Sequence, residues 1–272
     1  MSTLLKNLFD LEGHTAIIAG GAGVIGTAMA GTLLGAGANV AVWSRSRESI
    51  DWALEKLTAE TGAANRLDGF QVDTGDEEAV GEALQLTTGR FAAPCILINA
   101  VGGNLGKSPF IDTDITQFEE ILRLNLLAGL VVPTKVVAAY WIEQGMRGSI
   151  INLTSMTSYM PLSGVWGYDA AKAGVLNLTQ ATANAFAQHG IRVNAIAPGF
   201  FLGKQNRALL VDENTGDYTP RGKAIIERTP FGRFGNPEEL AGATLFLASE
   251  KASGFVTGVS IPVDGGYLIH NI

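Results

Sequence analysis

The chain has 272 residues, 47% of them hydrophobic and 17% charged, with a formal net charge of −7. That length and apolar content suit one α/β core and exclude a disordered chain. The acidic balance, with no basic stripe, argues against nucleic-acid binding and against attraction to an anionic membrane.

Residues 1–13 lack the basic start and continuous apolar stretch of a signal peptide, so the cytoplasm is the expected location. Residues 14–20 (HTAIIAG) read as a strand and 24–35 as a helix. Residues 39–43 (NVAVW) read as a second strand, 49–61 as a helix, 69–72 as a third strand and 77–88 as a helix. Residues 95–99 (CILIN) form the next strand; the single cysteine, Cys95, reads there as a buried small residue without a disulfide partner. Residues 124–142 are the most membrane-like segment. Asn125, Pro133 and Lys135 interrupt it, which favours a packed interior or interface helix. Later strands are expected at 149–153 (SIINL), 192–196 and 259–263, with a long helix over 167–188. The polar stretch 203–233 reads as a long functional loop or lid. Strands apolar throughout and alternating with helices predict a doubly wound parallel sheet, an α/β Rossmann-like single domain over 1–272.

Four glycines in the stretch 20–26, between the first strand and its helix, suit a phosphate-binding turn. Glycine lets a pyrophosphate approach the backbone, and the helix N-terminus offers unpaired N–H groups. Gly20, Ala22, Gly23, Val24, Ile25 and Gly26 are the candidate contacts; a tight structural turn is the simpler alternative. The second strand ends on Ser44 and Arg45 where an acidic residue would hold a ribose 2′-hydroxyl, so NADP(H) is favoured over NAD(H). Asp73, followed by Thr74, either meets the adenine or caps the helix from Glu77.

Tyr168 and Lys172 stand at i and i+4, one turn apart on one helix face. A free phenol titrates near 10, and a neighbouring ammonium lowers that value, which suits general acid/base chemistry. A tyrosine packed on a lysine stem is common, so the pair alone means little. Ser155, just past a strand end, is placed to polarise a carbonyl oxygen. Asn99, with Ala100 and Gly102, ends another strand beside the expected cofactor. Asn125 is a polar residue amid an apolar helix, either functional or a satisfied core amide.

In order and spacing these pieces resemble the classical short-chain dehydrogenase/reductases over nearly the whole chain. The matching residues are the glycine turn, Asn99-Ala100-Val101-Gly102, Asn125, Ser155, Tyr168-x-x-x-Lys172, Pro198-Gly199 and Val263-Asp264-Gly265-Gly266. The resemblance implies a catalytic tetrad of Asn125, Ser155, Tyr168 and Lys172. It also implies that Lys172 binds the nicotinamide ribose, that Asn125 holds a water in a proton relay, that Pro198, Gly199 and Phe201 complete the cofactor contacts, and that the assembly is a homotetramer. Three departures from the family pattern stand out: in the glycine turn, Ala19 where threonine is usual and Val24 where glycine is usual; Ala100-Val101 within the second motif; and Gly203 where threonine is frequent.

Residues 191–210 and 229–235 look like the branch containing D-mannonate oxidoreductases (fructuronate reductases) and gluconate 5-dehydrogenases. A sugar-acid ketone or alcohol is therefore the expected substrate. Six cations, Lys204, Arg207, Arg221, Lys223, Arg228 and Arg233, face four acidic residues in the lid; surface solvation explains most of them. Ser155, Tyr168, Asn104, Gln205, Asn206 and Arg207 make up the candidate substrate contacts, and no metal site is expected. Two other readings stay open: reduction of a 3-ketoacyl or similar apolar ketone, for which Phe200, Phe201 and Trp166 speak, and a non-catalytic dinucleotide sensor.

Overall fold

The computed structural model describes residues 3–203, 207–212 and 215–271. Among them, seven strands form one parallel sheet: β1 (Thr15–Ala19), β2 (Asn39–Ser44), β3 (Leu67–Gln71), β4 (Ile96–Asn99), β5 (Gly148–Leu153), β6 (Ile191–Pro198) and β7 (Ser260–Val263). Their spatial order is β3-β2-β1-β4-β5-β6-β7. The helices are α1 (Thr3–Phe9), α2 (Val24–Gly35), α3 (Arg47–Thr61), α4 (Glu77–Arg90), α5 (Ile115–Leu122), α6 (Val132–Glu143), α7 (Trp166–Phe186), α8 (Arg207–Leu210), α9 (Pro220–Glu227), α10 (Ala241–Ala248) and α11 (Glu250–Ser253).

Side chains alternate across each strand, so a strand covered on both faces must be apolar throughout. Ile18, Val42 and Ile98 pack on one face with Met29 and Leu33 of α2, Leu57 of α3 and Leu247 of α10. Their neighbours Ile17, Trp43 and Leu97 pack on the other face with Val80 of α4, Trp141 of α6 and Ala183 of α7. Each such buried side chain contributes about 1.5–3 kcal/mol. These two layers are the frame that holds the strand ends still. The chain leaves β1 and β4 toward opposite faces, which opens a crevice at their C-terminal ends.

The apolar segment around Asn125 and Pro133 is not interrupted. It belongs to one helical run, Ile115–Glu143, long and apolar enough to cross a membrane by composition, and half of its most apolar window is buried in this fold. A widened, π-type stretch, Arg123–Val131, joins α5 to α6. It ends just before Pro133, which sits in the first turn of α6. The wider turn and the early position accommodate a residue with no N–H to donate.

The irregular loop expected over 203–233 is also corrected: it contains α8 and α9. Leu210, Val211, Ile225 and Phe234 give it a small core of its own, extended by Phe200, Leu202 and Ile226. The two helices are too short and too polar for periodicity to reveal them.

Candidate active site

The turn after β1 is packed backbone to backbone. Gly20 has φ +80°, and a β-carbon there would lie 2.7 Å from the Ala100 carbonyl carbon. A β-carbon on Gly26 would lie 2.3 Å from the Gly20 carbonyl oxygen. Helix α2 starts behind Gly23, whose backbone is extended and which offers no side-chain cap. The first-turn N–H groups therefore have no capping side chain and suit an anion.

Gly20, Ala22, Gly23, Ser44, Arg45, Asp73, Thr74, Ala100 and Gly102 line a cavity of about 550 Å³. A second cavity of about 380 Å³ shares Gly23, Ala100 and Gly102 with it. This one continues past Val24, Ile25, Gly26 and Asn104 to Ser155, Tyr168, Lys172, Pro198, Gly199 and Phe201. The combined shape, a glycine cradle between two joined clefts, fits a dinucleotide. Arg45 is exposed at the first cleft, whereas Arg47 is drawn to Asp51 at 2.6 Å.

The two readings of Asp73 separate. The helix α4 cap is Asp76, which accepts from Glu78 N and Ala79 N. Asp73 accepts from Gly75 N at 2.9 Å and lines the first cleft. Asn99 departs from expectation. Its fully buried side chain donates to Thr134 Oγ1 and Asn152 Oδ1, both at 2.9 Å, and it lines neither cleft. It sits on the side of β4 facing α6, so it stiffens the strand end instead of reaching the ligand side.

Ser155 follows β5, Tyr168 and Lys172 lie in the first turns of α7, and all three line the second cavity. The Ser155 hydroxyl favours the ionised form of the Tyr168 phenol. Lys172 Nζ donates to the Leu153 carbonyl at 2.7 Å. The structure also reverses the expected direction of the phenol's shift. Burial raises the Tyr168 phenol, the Ser155 hydroxyl offsets part of that rise, and the charge of Asp169 adds to it. Burial also pushes the Lys172 ammonium down to about 8. Desolvation is the largest cause for both groups, because both are taken out of water.

Asn125 is buried in the widened helical stretch. Its Nδ2 donates to Gly103 O at 2.7 Å and Ile121 O at 2.9 Å, and its Oδ1 accepts from Gly103 N at 3.0 Å. It thus clamps the loop after β4 to the helix. A β-carbon on Gly102 would meet both Asn125 Oδ1, at 2.7 Å, and Lys172 Nζ, at 3.3 Å, so these two groups converge on one backbone position.

Two contributors escaped the sequence reading. Ser158 Oγ donates to the Lys172 carbonyl at 2.6 Å and accepts from Ser155 N at 3.3 Å, tying the serine loop to the lysine helix. The departures at Val24 and Gly203 are one feature. A β-carbon on Gly203 would lie 2.9 Å from Val24 Cγ2, so valine fills the space that a side chain at 203 would take. Of the expected substrate contacts, Asn104 lines the second cavity and Arg207 does not; Gln205 and Asn206 lie outside the described residues. Phe200 and Phe201 line the cavity, whereas Trp166 Nε1 donates to Ser108 O and the ring lies beyond it.

A family model described as enoyl-(acyl carrier protein) reductase matches residues 20–268. An uncharacterized oxidoreductase, UxuB, of Bacillus subtilis is 39% identical over 277 residues, covering 96% of this chain and 97% of that one. A crystal structure from Haemophilus influenza, provisionally assigned as a D-mannonate oxidoreductase and holding NAD, superposes with a TM-score of 0.87 at 35% identity over 99% of both chains. A gluconate 5-dehydrogenase from Burkholderia cenocepacia J2315, in complex with NADP and tartrate, gives a TM-score of 0.85 at 32% identity, covering 97% of this chain and 98% of that one. The chain belongs to the short-chain dehydrogenase/reductase family of oxidoreductases.

Proposed function

We propose that this oxidoreductase uses a nicotinamide dinucleotide, with NADP(H) preferred, to interconvert a ketone and an alcohol on a sugar acid. The observation that carries this reading is the meeting of Ser155, Tyr168 and Lys172 in one cavity that opens into the glycine cradle. The sugar-acid relatives support the substrate class. Ser44 and Arg45 at the end of β2 support the 2′-phosphate, and NAD(H) is the alternative.

When bound, the reduced nicotinamide supplies the hydride. The Ser155 and Tyr168 hydroxyls donate hydrogen bonds to the substrate oxygen and polarise it. A phenol raised by burial is protonated at neutral pH, which suits Tyr168 to hand its proton to that oxygen. Lys172, still largely charged at neutral pH, holds the ribose end and steadies the phenolate that remains. Asn125 clamps the backbone at Gly103 beside Lys172, where a water that returns a proton would sit. The exposed apolar side chains Ile111, Ile115, Phe255 and Ile269 support a homo-oligomer, read as a tetramer. The cytoplasm remains the proposed location.

The test is absorbance at the nicotinamide band with NADPH or NADH and a panel of keto-sugar acids, neutral ketoses and a 3-ketoacyl thioester. Turnover of a keto-sugar acid, faster with NADPH, is expected. Tyr168→Phe is expected to lose at least ~10²–10⁴ in turnover while still binding NADPH. Near-normal turnover by that variant overturns the assignment. Turnover of the thioester alone favours the apolar-ketone reading, for which Phe200 and Phe201 in the cavity wall speak.

A further inference from the structure

We infer that Arg221 is the carboxylate anchor of the active site, the residue that makes this enzyme prefer an acid to a neutral sugar. The inference rests on the sugar-acid reading and names the residue that would enforce it.

Among the described residues, the wall of the Tyr168 cavity carries two cationic side chains, Lys172 and Arg221, and no aspartate or glutamate. Lys172 is buried, donates to the Leu153 carbonyl, and is assigned above to the ribose and Tyr168. Arg221 is exposed to the cavity, with no ion pair or hydrogen bond to its guanidinium among the described residues. The other described lid cations are elsewhere. Arg233 is held by both oxygens of Glu239 at 2.7 Å, and Arg207, Lys223 and Arg228 are absent from the cavity wall. A lid with a general basic bias thus presents one guanidinium to the site. A guanidinium's planar fork matches a carboxylate's two oxygens, which a neutral hydroxyl cannot do.

The backbone seats Arg221 at the cavity wall. It is the second residue of α9, after Pro220, whose φ is preset for a helix start. Thr219 Oγ1 accepts from Gly222 N at 3.1 Å and donates to Leu209 O at 2.8 Å, tying the start of α9 to α8. A β-carbon on Gly222 would lie 2.2 Å from the Leu210 carbonyl oxygen, so α9 rests on α8 through bare backbone next to Arg221. Ile225, one turn on, is buried with Leu210, Val211 and Phe234. These contacts seat the start of α9 on α8 with Arg221 at the cavity wall. The geometry selects a substrate with its reacting carbon at Ser155 and Tyr168 and a carboxylate at the lid end of the same cavity.

The experiment compares wild type, Arg221→Ala and Arg221→Lys on a keto-sugar acid and on its methyl ester, with NADPH affinity measured in parallel. Arg221→Ala is expected to raise KM for the acid about 10- to 100-fold, the effect of losing a charge-assisted hydrogen bond, with kcat changed far less. It should leave the ester within about twofold, leave NADPH affinity unchanged, and abolish the preference for acid; Arg221→Lys should recover part of it. If wild type turns over the acid and Arg221→Ala keeps its KM, or loses acid and ester equally, the assignment of Arg221 is overturned while the sugar-acid reading stands. If wild type turns over the ester or neutral ketoses and not the acid, the sugar-acid reading itself fails.

Discussion

Lys172 carries an ammonium with 4% of its surface exposed, held by one carbonyl. Burial lowers it from 10.5 to about 8, so the unfolded chain binds that proton more tightly than the folded one. The burden on the fold is complete below about 8 and is relieved as pH rises from about 8 toward 10.5; read the other way, stability is lost as pH falls through the folded value. Relative to a Lys172→Met variant, wild type should therefore gain unfolding free energy across that window, by up to about 3 kcal/mol. Urea unfolding of both proteins from about pH 7 to about pH 10.5 measures it, and a flat difference would contradict the burial described. The same scale separates two asparagines that the sequence presents alike. Asn125 reaches the cavity backbone at Gly103, whereas Asn99 turns to Thr134 and Asn152. Residue type and spacing do not report which way an amide turns; the packing of β4 against α6 decides it.

At the scale of elements, the cofactor turn and the lid meet through Val24 and Gly203. Gly203→Thr alone drives a side chain into Val24, and overpacking of this kind costs about 1–3 kcal/mol. Val24→Gly alone opens a gap at the helix start. The double variant should recover much of what either single loses, with a coupling of about 1 kcal/mol in a double-mutant cycle of thermal stability and NADPH affinity. Strict additivity would show that the two positions do not touch. The widened helical stretch is the other feature of this scale. It lets one continuous run carry Asn125 to the site and Pro133 into α6 without a break.

Across the molecule, stability is distributed unevenly. The sheet is sealed by two apolar layers, while the lid rests on a small satellite core around Leu210, Val211, Ile225 and Phe234. Regions with few buried contacts open locally before the molecule unfolds. Native-state hydrogen exchange should show amides of α8 and α9 exchanging by local opening, and those of β1, β4 and β5 only by global unfolding. Equal protection in both would mean that the lid is part of the main core. Local opening would suit the lid role proposed for this segment.

The apolar strands, the glycine turn and the Tyr168–Lys172 spacing were legible in the amino-acid order, because burial on two faces demands continuous hydrophobicity and a helix fixes i to i+4. Those features determined the doubly wound sheet and marked Tyr168 and Lys172 as the candidate pair for the proposed chemistry. The lid helices were not legible, because four and eight residues of mixed polarity carry no clear period. Nor was the bridging role of Ser158, or the shared space of Val24 and Gly203, since each depends on segments brought together from distant parts of the chain. Six lid cations are equal in the sequence. Among the five that the structure describes, the seating of α9 on α8 through Gly222 puts one, Arg221, at the cavity wall, because position in space is set by packing and not by residue type.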